Sequence, residues 1–186
     1  FAQISDHLGM AEMGAIEGPV GAVISGFDPR RGNRPYINQL ALAGTAGAAG
    51  PQANGWLTMG NAGTAGMWKM DSIEITELDF PLIVNKRMLV TDTEGAGTYS
   101  GAPSCLVEYE ITADSMNIYY SSDGVSNPPR GANNEYRGAG VDQWIVDDDG
   151  NKTRLPSIGE LTVERGRRII SQTSAGGGYG SPLSRD

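Results

Sequence analysis

The amino-acid sequence predicts a β-dominated α+β fold, in which strands and hairpins are connected by ordered, glycine-rich loops. β-branched and aromatic residues are concentrated in short segments bounded by glycine and proline, a pattern typical of strands and turns. No helix-capping residue is followed by a sustained apolar stripe at helical spacing. The 186 residues are enough to bury a core, and the 27 glycines are about twice the usual share.

The first strands are short and interrupted by turns. GPVGAVISG predicts a strand that ends at Gly26, and the loop FDPRRGNRP follows, where Pro29 and Pro35 disfavour helix. The apolar spacing of YINQLALAG allows either a strand or a short helix. From Asp71 onward, SIEITELDFPLIVNKRMLV predicts a strand, an irregularity at Pro81 and a second strand.

The second half of the chain contains the clearest strands. SCLVEYEI and MNIYY form a pair of strands joined by the tight turn TADS. WIV and KTRL flank Asp149-Gly150, a dipeptide typical of hairpin turns. ELTVE and IISQTS are two further strands, with a turn at ERGRR between them. We therefore divide the chain into a glycine-rich part, residues 1–70, and a β-rich part, residues 71–186.

Composition and charge exclude several functions. The formal charge of -8 disfavours nucleic acid as a partner, because phosphate binding requires clustered basic residues. No apolar stretch approaches the ~18–20 residues of a membrane span. Cys105 is the single cysteine and cannot form an internal disulfide, so we expect a cytoplasmic protein. His7 is the single histidine, and we expect no metal site complete within this chain.

Two glycine runs and one acidic segment are the remaining candidates. Residues 44–67 are either a flexible surface linker or an ordered loop that lines a crevice, and Trp56 favours order. GGGYG at 176–180 lacks the Lys-Ser/Thr pair and the following helix of a phosphate-binding loop, so a crowded turn is the preferred interpretation. If SIEITELD is a strand, Glu77 and Asp79 share a face with its isoleucines, as polar partners at an interface would.

The order of these motifs resembles the C-terminal part of the hydantoinase B/oxoprolinase family. The family's strand pair, its KYRGG-like turn, its PPxGxxGGxxG-like segment and its closing TPGGGGYGDPLERD are similar to residues 73–84, 95–102, 128–140 and 173–186. Residues 33–39 and 54–62 are similar to the family's central region, so residues 1–70 are the glycine-rich part of that region.

Four positions depart from the family pattern. Thr98 and Ser100 stand where the turn usually has Lys and Arg, and Ser181 and Ser184 replace an Asp and a Glu in the closing motif. If those charged residues anchor the turn or bind a substrate, this protein achieves it differently.

The resemblance implies the C-terminal segment of a hydantoinase B-like subunit in an ATP-dependent, multi-subunit enzyme, related to the alpha-type subunits of acetone carboxylase and to acetophenone carboxylase. Such enzymes hydrolyse cyclic amides (hydantoin, oxoproline or lactams) or carboxylate a ketone without biotin. The implied partners are the rest of the same subunit, a hydantoinase A-like subunit that handles ATP and Mg²⁺, and a small-molecule substrate. The resemblance also implies that any metal site of such a subunit lies in its N-terminal portion, which these 186 residues do not match.

We therefore assign no catalytic and no metal-binding residue to this chain. Gly176, Gly177, Gly178, Tyr179 and Trp56 are the candidate contacts to substrate or to another subunit. The alternative is a β-rich binding or structural module without enzymatic activity, since the residues alone supply no acid–base pair.

Overall fold

The computed structural model describes residues 11–14, 18–57, 70–132 and 136–185. Within these ranges the chain forms nine strands and one α-helix, with short 3₁₀ turns at Gly18–Gly21, Pro29–Arg31, Asp123–Val125 and Pro182–Ser184. The helix is α1 (Ile73–Asp79). The strands are β1 (Val23–Asp28), β2 (Arg34–Gln39), β3 (Leu82–Val90), β4 (Ser104–Ile111), β5 (Ser115–Ser121), β6 (Asp142–Val146), β7 (Lys152–Arg154), β8 (Ile158–Glu164) and β9 (Arg168–Gln172).

The strands form two antiparallel sheets. One has four strands in the order β2-β1-β5-β8, and the other has five in the order β3-β4-β9-β6-β7. The turn TADS, which follows β4, carries the chain from the five-stranded sheet to the four-stranded one, and the turn after β8 carries it back. The strand-dominated fold predicted from the sequence is confirmed.

The hydrophobic core lies between the two sheets. Along β4 the side chains of Val107, Tyr109 and Ile111 are fully buried, while those between them are only half-buried. This is the period of two that a sheet with one buried face imposes on its sequence. Ile24 and Ile118 contribute to the same core from the four-stranded sheet.

Most strand predictions for the second half are confirmed. β6 and β7 form the predicted hairpin, in which Trp144 pairs with Arg154 and Val146 with Lys152. β8 and β9 are the two further strands, although they pair in different sheets. In the first half, YINQ belongs to a strand rather than a helix, and β1 continues past Gly26 to Asp28.

The strand predicted at SIEITELD was wrong, because Ile73–Asp79 is the helix α1. The alternation of Ile73 and Ile75 covers too few residues to distinguish the two structures. Thr76 N–H donates to the Ser72 carbonyl at 3.0 Å, closing the first turn. Glu77 and Asp79 therefore do not share a strand face with the isoleucines, and β3 begins only after Pro81.

The division of the chain at residue 70 stays a prediction. β1 and β2 precede that point, and they share a sheet with β5 and β8, which follow it. Residues 58–69, including Trp68, and His7 lie outside the described residues.

Candidate functional site

Segments rich in glycine pack against one another beside the two sheets. They lie outside the helix and the named strands, yet they are joined by backbone hydrogen bonds at 2.7–3.1 Å. We call this arrangement the glycine layer, and its described residues are 11–14, 45–56, 93–102, 129–132, 136–140 and 173–180. Residues 45–56 are hydrogen-bonded to the other segments, which favours the ordered loop over the flexible linker, and the crevice that this loop would line stays a prediction.

The three successive glycines Gly176, Gly177 and Gly178 occupy the interior of the glycine layer and are buried. Each residue uses both its N–H and its carbonyl, and each bonds to a different side of the layer. Gly176 bonds to Ala102 and Gly95, Gly177 to Glu12 and Ala49, and Gly178 to Tyr136 and Ala132, all at 2.9–3.0 Å. No backbone amide of this run is left to bind a phosphate, in agreement with the rejection of a phosphate-binding loop.

Close approach of neighbouring backbones explains why these three positions are glycine. A Cβ atom added at Gly176 would lie 1.9 Å from the Gly47 carbonyl oxygen. At Gly177 it would lie 2.0 Å from the Arg130 carbonyl oxygen, and at Gly178 2.0 Å from that of Ala96. Any side chain would displace a hydrogen-bonded backbone, so the run excludes side chains as well as ligands from the interior of the layer.

The other two candidate contacts lie at the margins of the layer. Tyr179 is half-buried and pairs with Tyr99 through two backbone hydrogen bonds, at 2.9 and 3.0 Å. The Trp56 side chain is 58% exposed, while its carbonyl accepts a hydrogen bond from Gly47 N–H. A contact to substrate or subunit at these five residues stays a prediction, and Tyr179 and Trp56 are the two that present a side chain.

Two of the four substituted family positions meet in space. The Thr98 hydroxyl donates to the Ser181 carbonyl at 2.8 Å. The resemblance places a Lys at the first position and an Asp at the second, and in this chain the two positions are joined by a hydroxyl–carbonyl hydrogen bond. Ser100 lies in the same turn, where its N–H donates to Asn54 Oδ1 at 2.9 Å. These polar contacts hold the turn in this chain without the family's charged residues.

A separate cleft of about 400 Å³ lies between β2 and the end of α1. Asp28 at its base is 2% exposed, and its carboxylate accepts hydrogen bonds from the backbone N–H and the guanidinium of Arg30 at 2.9–3.0 Å. Hydrogen bonding to Arg30 lowers the pKa of Asp28. Arg30 and Arg31 also donate to the Glu77 and Leu78 carbonyls, so they cap the C-terminus of α1.

Tyr36 covers the inner side of this cleft. Its hydroxyl is buried without a hydrogen-bond partner among the described residues. Burial raises the pKa of Tyr36 to about 12, and the nearby Asp28 carboxylate contributes in the same direction. The phenol is therefore neutral at ordinary pH. The acidic groups of the cleft are paired with arginines, so they are not arranged as a general base. The sequence analysis missed this cluster, although Asp28-Pro29 is a recognisable helix-start signal.

The described part of the chain holds no group of three His, Cys, Asp or Glu side chains arranged to bind a metal ion. In the same ranges, no helix is both long and apolar enough to cross a membrane.

Two antiparallel sheets around a hydrophobic core, with a buried glycine layer joined by backbone hydrogen bonds beside them, define a β-rich domain. The chain belongs to the hydantoinase B/oxoprolinase family, whose model matches residues 3–182. The family predicted from the order of the motifs is therefore confirmed.

Among curated proteins, the chain is 28% identical to caprolactamase subunit beta of Pseudomonas jessenii over 176 residues, which cover 89% of this chain and 29% of that protein. It is 33% identical over 114 residues to an uncharacterised protein of Methanocaldococcus jannaschii, covering 61% of this chain and 20% of that one. The chain thus spans less than a third of the length of these relatives.

Two solved structures share the fold. The crystal structure of the ATP-dependent caprolactamase from Pseudomonas jessenii matches with a TM-score of 0.69 and 24% identity, covering 93% of this chain and 31% of that one. The nucleotide-free acetone carboxylase matches with a TM-score of 0.63 and 18% identity, covering 91% and 27%. At these identities the structural likeness concerns the fold.

Proposed function

We propose that this chain is the C-terminal segment of a hydantoinase B-like subunit in an ATP-dependent enzyme that hydrolyses a cyclic amide. The observation that carries the proposal is its 28% identity to caprolactamase subunit beta across 89% of the chain. A lactam is one of the cyclic amides that the family resemblance implies. The compartment we propose is the cytoplasm, since Cys105 is the single cysteine and this chain has no internal disulfide.

We propose further that a hydantoinase A-like partner subunit handles ATP and Mg²⁺. The glycine run offers no nucleotide site, because the amides of Gly176, Gly177 and Gly178 are all bonded to backbone carbonyls. Arg30 and Arg31, next to Asp28 in the cleft, are bonded to Asp28 and to the end of α1, and Arg34 is the other arginine that lines the cleft. In this proposal the chain supplies a rigid wall of the subunit, and its partners supply the reacting groups.

Ketone carboxylation is the second candidate, supported by the shared fold with acetone carboxylase. One assay distinguishes cyclic-amide hydrolysis from ketone carboxylation. The tagged chain is purified with its partners, and ATP hydrolysis is measured with caprolactam, hydantoin or 5-oxoproline, and separately with acetone or acetophenone plus bicarbonate.

We expect amide-dependent ATP turnover and release of the ring-opened amino acid. ATP turnover that requires both a ketone and bicarbonate would show instead that the enzyme carboxylates a ketone. A chain that is isolated as a folded monomer without partners would instead support the non-enzymatic module.

A further inference from the structure

Most of the edge strand β2, residues Tyr36–Gln39, lacks the features that protect the other three edges. An edge strand exposes unpaired backbone groups, and proteins block unwanted pairing there with charges, proline or bulges. The other edges of the two sheets each have such protection. These features are Glu160 and Glu164 in β8, Lys152 and Arg154 in β7, and Lys86 with a register irregularity beside it in β3.

In β2 the protecting residues, Arg34 and Pro35, lie at the start of the strand. The remainder, Tyr36–Gln39, has neither charge nor proline, and no described strand pairs with its outer edge. Because neighbouring residues of an antiparallel strand point their backbone groups to alternate sides, two of these four residues present both an N–H and a carbonyl outward. This half of β2 is a template on which one more strand can form.

Apolar side chains surround that template on the outer face of the sheet. Ile37 is 76% exposed and Phe27, on the neighbouring strand β1, is 63% exposed. The pairing register puts Ser25 opposite Ile37 and Phe27 opposite Pro35, so Ile37 and Phe27 are diagonal neighbours on one face. We call Phe27, Pro35 and Ile37 the β2 patch.

We infer that an extended segment from the remaining part of the hydantoinase B-like subunit adds to the edge of β2 and covers the β2 patch. The inference rests on the proposed function. More than two thirds of the length of caprolactamase subunit beta lies outside the part this chain matches, so under the proposed function a large polypeptide remains to occupy this edge. Its segment at β2 is an extended strand that places an apolar side chain beside Ile37, because backbone bonds supply affinity and the patch supplies register.

Two isoleucines provide a matched comparison within one sheet. Ile37 in β2 is 76% exposed, and Ile158 in the opposite edge strand β8 is 72% exposed. Both side chains are in solvent, so Ile37→Lys and Ile158→Lys leave the core intact. Each variant of these 186 residues is expressed with an affinity tag as a polypeptide separate from the remaining part of the subunit, and the amount of that part that is co-purified is measured by quantitative and native mass spectrometry.

We expect Ile37→Lys to lower the recovery of that polypeptide by about tenfold, since a lysine at the centre of a desolvated contact costs at least 1.4 kcal/mol by the usual conversion. Ile158→Lys should leave recovery within about twofold of the parent chain. Equal recovery with both variants would overturn the inference and leave the proposed function standing. If the parent chain co-purifies with no hydantoinase B-like polypeptide, both are overturned.

A photo-crosslinking residue at position 37 identifies the occupant directly in the assembled complex. The expected product joins position 37 to the remaining part of the same subunit, while position 158 gives no such product. A crosslink from position 37 to a second copy of this chain, or to residues 58–69 of the same chain, would assign the edge to a different occupant and refute the inference.

Discussion

Replacing Gly177 by alanine tests whether the glycine layer holds the domain together. The added Cβ would lie 2.0 Å from the Arg130 carbonyl oxygen, whereas real contacts of this kind are essentially never shorter than 3.0 Å. The two backbones must therefore separate by about 1 Å. A hydrogen bond of 2.9 Å, such as that from Gly177 N–H to the Glu12 carbonyl, is lost at such a displacement.

The magnitude follows from the bonds that this displacement breaks. Besides the bond to Glu12, Gly177 accepts one from Ala49 N–H at 3.0 Å, and Arg130 N–H donates to the Glu12 carboxylate at 2.8 Å. Each lost bond costs about 1 kcal/mol, and more where a buried group is left unpaired. We expect Gly177→Ala to lower the free energy of unfolding by about 3 kcal/mol, and Tm by roughly 6–12 °C for a domain of this size.

Gly50→Ala is the matched control in the same layer. A Cβ at Gly50 has nothing within 4 Å, and its backbone conformation is open to any residue. We expect its free energy of unfolding to stay within about 0.5 kcal/mol of the parent chain. Urea and thermal unfolding followed by circular dichroism measure both variants. Equal stability of Gly177→Ala and Gly50→Ala would refute the conclusion that backbone contact at Gly177 is required.

Two further predictions concern charged and substituted positions. The pKa of Asp28 is lowered in the folded state, so its contribution to stability is present above the ordinary value of 3.8 and is lost as the pH falls through the folded pKa. Acid unfolding should therefore show the parent chain's advantage over Asp28→Asn shrinking below about pH 4, and an advantage that grows on acidification would contradict this. Thr98→Lys alone should cost about 1 kcal/mol, because it removes the bond to Ser181. Adding Ser181→Asp should recover up to about 1 kcal/mol, because the aspartate pairs with the new lysine. A double-mutant cycle in urea measures this coupling free energy, and a value of zero would show that the two positions do not interact.

The strands could be predicted wherever their signal was local. β-branched and aromatic residues in β4 and β5, and the Asp149-Gly150 turn between β6 and β7, locate these elements from short segments. The sheet in which each strand lies was not predictable in this way. β4 and β5 are separated by only three residues, yet they belong to different sheets, because their partners are distant in the sequence.

The helix α1 was missed because contacts far along the chain stabilise it. Its seven residues are too few for a helical stripe, and they include two β-branched isoleucines. Its last turn is held by Arg30 and Arg31, more than 45 residues earlier in the sequence, which donate to the carbonyls of Glu77 and Leu78. A pattern search within SIEITELD has no access to those arginines.

The candidate site shows why a glycine run indicates crowding more readily than it indicates a ligand. GGGYG has the composition of an anion-binding loop, but such a loop needs backbone amides that point to an empty space at a helix N-terminus. In this chain Gly176, Gly177 and Gly178 direct their amides to Ala102, Glu12 and Tyr136. Composition alone cannot distinguish an amide that is free from one that a distant segment has occupied. Because the interior of the layer is closed in this way, a ligand or subunit can reach it only at its margins, where Tyr179 and Trp56 present their side chains.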